Sequence, residues 1–288
     1  MARAAAAAQR RRSRGRRRSR LRVRLRRLLP NARQRRRWLR AFRRTPPGAQ
    51  VIAGLTAVAL AWALVNVLYQ VARKPTELFF PVSGTLFKTP AETWGAYATL
   101  FRRHSTDTMS PTLLAALAQV EGSGNPIART YWRWSWHADP FEVYRPASSA
   151  VGMYQITDGT FDEAKRFCIH DHVLTEDGPW YAWRSCWLNA LYFRVIPSHA
   201  IELTSAYLDR AVQVTLAHRG IRSATLAQKQ NLAALIHLCG AAAGDRFARR
   251  GFTFTPGQRC GDHEARLYVA RVDAMKAVFA VLASRDRS

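Results

Sequence analysis

Hydrophobic positions are distributed unevenly along this chain. Val51 to Ala72 reads VIAGLTAVALAWALVNVLYQVA, with no charged residue. Gly54, Thr56, Asn66 and Gln70 are its least lipophilic positions, and they form no periodic stripe of the kind a core helix turns to water. As a helix the run spans about 33 Å, enough to cross a bilayer. Tyr69 lies near one end, where an interfacial ring belongs. The run is long for a cleavable leader, and no clear small-x-small site follows it. The pattern predicts one N-terminal transmembrane helix over 50–72.

Beyond it the pattern is helical. Residues 75–90 read as a linker, with Pro75, Pro81, Gly84 and Pro90; linker and first helix together fill 75–107. That first helix is predicted from Ala91 to about Arg103. Ser110 is a good N-cap with Pro111 at the first helical position. Leu113, Leu114, Leu117 and Val120 then recur at helical spacing, until Gly122 and Gly124 end the helix. Thr160 and Glu163 have capping-box spacing and open a helix towards Phe167. Further helices are predicted over about 181–194, 198–218, 224–239 and 262–284. Strand patterns are scarce, and any sheet is expected to be small and to lie between 130 and 157. No internal repeat is visible.

Charge changes the picture of the N-terminus. The chain carries a formal +26. Residues 1–44 hold 20 arginines and no acid, 45–72 are uncharged, and 75–288 hold 23 basic against 19 acidic residues. The excess therefore belongs to a tail. By the positive-inside rule the Arg-rich tail, 1–44, is cytoplasmic and 75–288 lie across the membrane. Attraction to anionic lipid explains the tract further, at about 1 kcal/mol per basic residue near the surface. Nucleic-acid binding is the less favoured reading, because a tail beside a span needs no nucleic acid to explain it. Around Leu21–Leu28, alternation of Arg with apolar residues allows a short amphipathic or extended piece.

Cys168, Cys186, Cys239 and Cys260 all fall on the exported side, where disulfides persist. Chain order suggests Cys168–Cys186 and Cys239–Cys260, although four cysteines allow three pairings. A metal site would draw on Cys168, His170, His172, Cys239, Cys260 and His263, but their spacing fits no common zinc pattern. No metal or other cofactor is expected.

Glu121 is the residue with most chemical promise. A carboxyl group among apolar residues at the negative end of a helix is suited to proton donation. A solvated helix-terminal Glu is the plainer alternative on local sequence alone.

The wider context adds to this. LLAALAQVEGSGNP (residues 113–126) followed by SSAVGMYQITDGTF (residues 148–161) resembles the lytic transglycosylases with a soluble-transglycosylase catalytic domain. The matching residues are Glu121, Asn125, Gly152, Met153, Tyr154, Gln155 and Ile156, with Thr160 beyond. The resemblance covers about 108–250. It implies a mainly α, lysozyme-like catalytic domain, here over 108–288 behind the single N-terminal transmembrane helix. Gly122 stands where that family usually has Ser, with Ser123 as the hydroxyl that could stand in. Tyr154 replaces a Met, and the stretch between the motifs is longer than usual. In IHLCG (236–240) His237 stands at the position of a family Tyr and Leu238 at that of an Asn.

By resemblance, Glu121 protonates the oxygen between N-acetylmuramic acid and N-acetylglucosamine in peptidoglycan. It then accepts a proton from the muramyl 6-hydroxyl, closing a 1,6-anhydro ring without water. No second carboxylate is needed, unlike the usual glycosidase pair. A hydrolytic lysozyme would need one, and Asp139 or Glu142 could activate its water; Asp158 and Asp162, at an expected helix start, are weaker candidates. A non-catalytic wall-binding protein is a third reading. Gln155 and Tyr154 are expected to line the cleft, and Gly152 to allow close backbone approach. Trp132, Trp134 and Trp136 alternate and share one face if extended. They either stack on sugar rings beside the cleft or form a small extra core. The implied setting is the periplasmic face of an inner membrane, with glycan strands as substrate and, by analogy, a secretion or conjugation machine as partner.

Overall fold

The computed structural model describes residues 32–136, 139–182 and 184–286. Most of the Arg-rich tail, including Leu21–Leu28, lies outside them. The chain divides into two compact units between Val65 and Asn66.

The first unit contains α1 (Ala32–Arg43) and most of α2 (Pro47–Arg73). α2 has 27 residues, with a mean hydropathy of 2.2 over its most apolar window. At 1.5 Å per residue it is about 40 Å long. It is one helix long and apolar enough to cross a membrane, and most of its side chains are exposed.

The second unit is mainly helical. After two turns of 3₁₀ helix and the short α3 (Phe80–Ser83) come α4 (Pro90–Arg103) and α5 (Pro111–Gly122). They are followed by α6 (Asp158–Ala164), α7 (Pro197–His218), α8 (Leu226–Cys239), α9 (Ala241–Arg249) and α10 (Ala265–Arg285). α5 is the central element: every side chain from Leu113 to Ala118 is buried. α4 and α10 lie along it, and α8 packs on α7, α9 and α10. An apolar helix with no polar face has to be covered on all sides, and these neighbours cover it. Caps fix the starts. Ser110 accepts from the Leu113 amide, while Thr89 with Glu92 and Thr225 with Gln228 form capping boxes.

Three two-stranded antiparallel hairpins complete the unit. β1 (Trp132–Trp134) pairs with β2 (Tyr144–Pro146), inside the range expected for a sheet. β3 (Phe167–His170) pairs with β4 (Val173–Glu176), and β5 (Arg259–Cys260) with β6 (His263–Glu264). These last two lie outside that range. In the first of them Asp171 and His172 both have positive φ, which suits the tight two-residue turn that closes it.

Three further expectations are corrected. Residues 75–90 are no free linker: Glu77 is buried among Lys74, Arg129 and Trp132, which fastens the segment to the unit. The helix expected over 181–194 is a 3₁₀ stretch, Cys186–Leu191. Cys186 is bonded to Cys168, and Asn189 donates to the Phe167 carbonyl at 2.7 Å, so this segment is clamped to a strand. Thr157, not Thr160, caps α6. The second disulfide joins Cys239 to Cys260, so both bonds follow chain order.

Candidate active site

Glu121 occupies the last turn of α5, with its side chain 16% exposed. The helix stops two residues later, where Ser123 takes the left-handed conformation at φ 48°. Two other elements meet the carboxylate. The Tyr268 hydroxyl, from α10, donates a hydrogen bond to Glu121 Oε1. His237 Nε2, from the last turn of α8, lies 3.6 Å from the same oxygen. Burial, reinforced by the adjacent carboxylate, pushes the Tyr268 phenol well above its usual range, so it stays a donor.

Glycine geometry sets the floor of the site. The Gly122 position faces the Met153 backbone so closely that a Cβ there would lie 2.8 Å from Met153 Cα. That gives a steric reason for Gly where the resemblance has Ser. Gly152 has φ +81°, and a Cβ on it would lie 2.5 Å from the Arg194 carbonyl oxygen. Its amide donates to the Ala128 carbonyl at 2.8 Å. Gln155, at φ 49°, folds its side-chain amide onto the carbonyls of Gly152 and Ala128.

A cavity of about 230 Å³ has Gln155, Thr160, Thr204, Tyr207, His237 and Gly240 in its wall. Thr204 Oγ1 is buried and has no hydrogen-bond partner. His237 joins this cavity to Glu121. Glu121 itself is outside the wall, but hydroxyls, an amide and an imidazole beside the acid suit a hydroxyl-rich ligand.

Other residues proposed from the sequence fall elsewhere. Tyr154 is fully buried in the core, with its hydroxyl on the Leu114 carbonyl at 3.1 Å. Met153 is equally buried. Asn125 is a scaffold residue: its amide donates to the Ser83 carbonyl at 2.5 Å, and its oxygen accepts from Ile127 N. Ser123 serves as the helix terminator, its carbonyl accepting from Lys88 N. Trp132 is half-buried, donates to Glu77 and packs on Tyr144; Trp134 packs on the same ring from an exposed position. The possible second carboxylates are all engaged. Glu142 pairs with Arg73 and Arg145, Asp158 with Arg194, and Asp162 with Lys165, while Asp139 accepts from Phe141 N. Among the described residues no group of three or more His, Cys, Asp or Glu could hold a metal ion.

Tyr268 is the residue that the sequence did not reveal. It lies 147 positions from Glu121 on a helix with no motif. Its one local signal is a Tyr on a buried face, whose hydroxyl must find a partner.

No protein-family model matches the chain, and no curated protein matches it.

Proposed function

We propose that the chain is a membrane-anchored lytic transglycosylase with a lysozyme-like catalytic domain. It cleaves the bond from N-acetylmuramic acid to N-acetylglucosamine in peptidoglycan and leaves a 1,6-anhydro end. The observation that carries the proposal is the single carboxylate at the end of a buried helix, held by the Tyr268 phenol and flanked by His237. The two motifs around Glu121 and Gln155, met in the family's order, give it a reaction.

In this reading Tyr268 fixes Oε1 and leaves Oε2 to face the glycosidic bond. Oε2 delivers its proton to the leaving oxygen. Positive charge develops at the sugar carbon, stabilised by the substrate's acetamido group. Oε2 then takes the proton of the muramyl 6-hydroxyl as that oxygen closes the ring. The two motifs, rather than any single contact, favour this one-carboxylate route over a hydrolytic lysozyme.

The proposed topology puts the Arg-rich tail in the cytoplasm, α2 across the inner membrane and the catalytic unit in the periplasm, where the two disulfides are stable. A secretion or conjugation apparatus that needs the wall opened locally is the proposed beneficiary, and nucleic acid has no part in the scheme. Digestion of purified sacculi by the full chain in detergent tests the activity. Soluble muropeptides are expected from the native chain and none from Glu121→Gln; equal release from both, or from neither, overturns the proposal.

A further inference from the structure

The β1–β2 hairpin is bound to the end of the apolar helix. Asn66 Nδ2 and Gln70 Nε2 both donate to the Phe141 carbonyl, at 3.0 and 2.7 Å. The Tyr69 ring packs on Phe141 with centroids 5.3 Å apart, and Arg73 pairs with Glu142. Asn66, Tyr69 and Gln70 belong to the uncharged run. Amide side chains in such a run are costly next to hydrocarbon unless they are paired, and the loop after β1 provides their acceptor. Some 20 residues counted from Val51 end near Gln70. The hairpin loop is therefore fastened to the helix where the span leaves the hydrocarbon.

The same hairpin displays aromatic surface. Trp136 is 96% exposed and Trp134 66% exposed. An indole left almost wholly in water is costly. Indoles concentrate instead at the bilayer boundary, where an apolar ring and a polar N–H are both accommodated. Arg133, between Trp132 and Trp134 on the same strand, is exposed as well. Behind the strand a largely apolar cavity of about 430 Å³ is walled by Val67 and Val71 of α2, by Trp132 and Tyr144 of the hairpin, and by the Glu77–Arg129 pair. The apolar surface of the helix end thus continues into the hairpin.

From this continuity we infer that the Trp134–Trp136 edge is seated in the phospholipid headgroup layer of the membrane that α2 crosses. The hairpin is a foot. It gives the catalytic unit a contact with the bilayer in addition to the span. The inference rests on reading α2 as a span, and the experiment separates the two.

Spin labels on single cysteines introduced at Val58, Trp136 and Arg222 of the full chain, native disulfides kept, report depth in phosphatidylethanolamine–phosphatidylglycerol nanodiscs. Val58 should be relaxed by oxygen and shielded from a water-soluble nickel chelate. Arg222 should show the reverse. Trp136 should have oxygen accessibility several-fold above that of Arg222 and be relaxed by a nickel-chelating lipid headgroup. A Trp136 label that matches Arg222 while Val58 is embedded overturns the foot and leaves the span intact. An aqueous Val58 overturns both. Dipolar broadening at Trp136 that disappears on dilution with unlabelled chain would mean that a second copy covers the edge, and would also overturn it.

Discussion

The Tyr268 phenol donates its hydrogen bond to Glu121 from a helix that begins 143 residues beyond the end of α5. The bond is compatible with both states of the proposed acid, because Oε1 accepts whether or not Oε2 carries a proton. A hydrogen bond to a charged partner contributes about 1.5–3 kcal/mol. Tyr268→Phe should therefore lower the rate of muropeptide release by about 10- to 100-fold, with the circular dichroism spectrum unchanged. A rate within twofold of the native chain would remove Tyr268 from the site.

Gly122 tests the steric account of the site's floor. A Cβ here meets the Met153 backbone, which cannot swing aside as a flexible side chain would. Gly122→Ser, which brings the chain closer to the family pattern, should destabilise the fold by about 1–3 kcal/mol. Chemical denaturation of the full chain in detergent reads this directly. A neutral or stabilising effect would show that the loop carrying Met153 gives way.

The Cys239–Cys260 bond ties the end of α8, next to His237, to the last residue of β5, just before the β5–β6 turn. Asp262 in that turn accepts from the Tyr131 hydroxyl at 3.3 Å. The bond closes a loop of 21 residues, worth about 3 kcal/mol in the loop-entropy treatment. The double change Cys239→Ser, Cys260→Ser should lower stability by about that amount, and activity more than Cys168→Ser, Cys186→Ser does. Equal loss of activity from the two pairs would show that position relative to His237 does not matter.

One buried and one half-buried histidine should make stability depend on pH. His104 is held below the ordinary imidazole range by burial, only partly offset by Glu202 3.7 Å away. His199 is lowered for the same reason. Unfolded, each binds a proton near pH 6.5; folded, each waits for a lower pH. The unfolded chain then holds more protons, so stability falls as the pH drops below about 6.5. The melting temperature should decline from about pH 7.5 to about pH 5, and His104→Leu should flatten that decline. An unchanged slope in the variant would assign the effect to other groups.

Much of this was legible along the chain, for local reasons. The charge-free run marks α2. Ser110 with Pro111 marks the start of α5, and Gly122 with Gly124 its end, which puts Glu121 in the last turn. Other features depend on tertiary contacts. The β3–β4 hairpin has only four residues per strand, and its Asp171–His172 turn lacks the glycine that usually announces one. Tyr154 was expected on a cleft wall because its motif faces the acid, yet within that motif the glycine and glutamine shape the loop while the ring fills the core. Asn66 and Gln70 read as blemishes in a span until Phe141, far along the chain, supplied the carbonyl they share.

The central claim is that one carboxylate cleaves the glycan without water. Mass spectrometry of the muropeptides released from sacculi by the full chain tests it most directly. The account predicts muramyl ends one water lighter than hydrolysed ends, resistant to borohydride and absent from the Glu121→Gln digest. Ends of full hydrolysed mass that borohydride reduces would contradict it and make the protein a hydrolase.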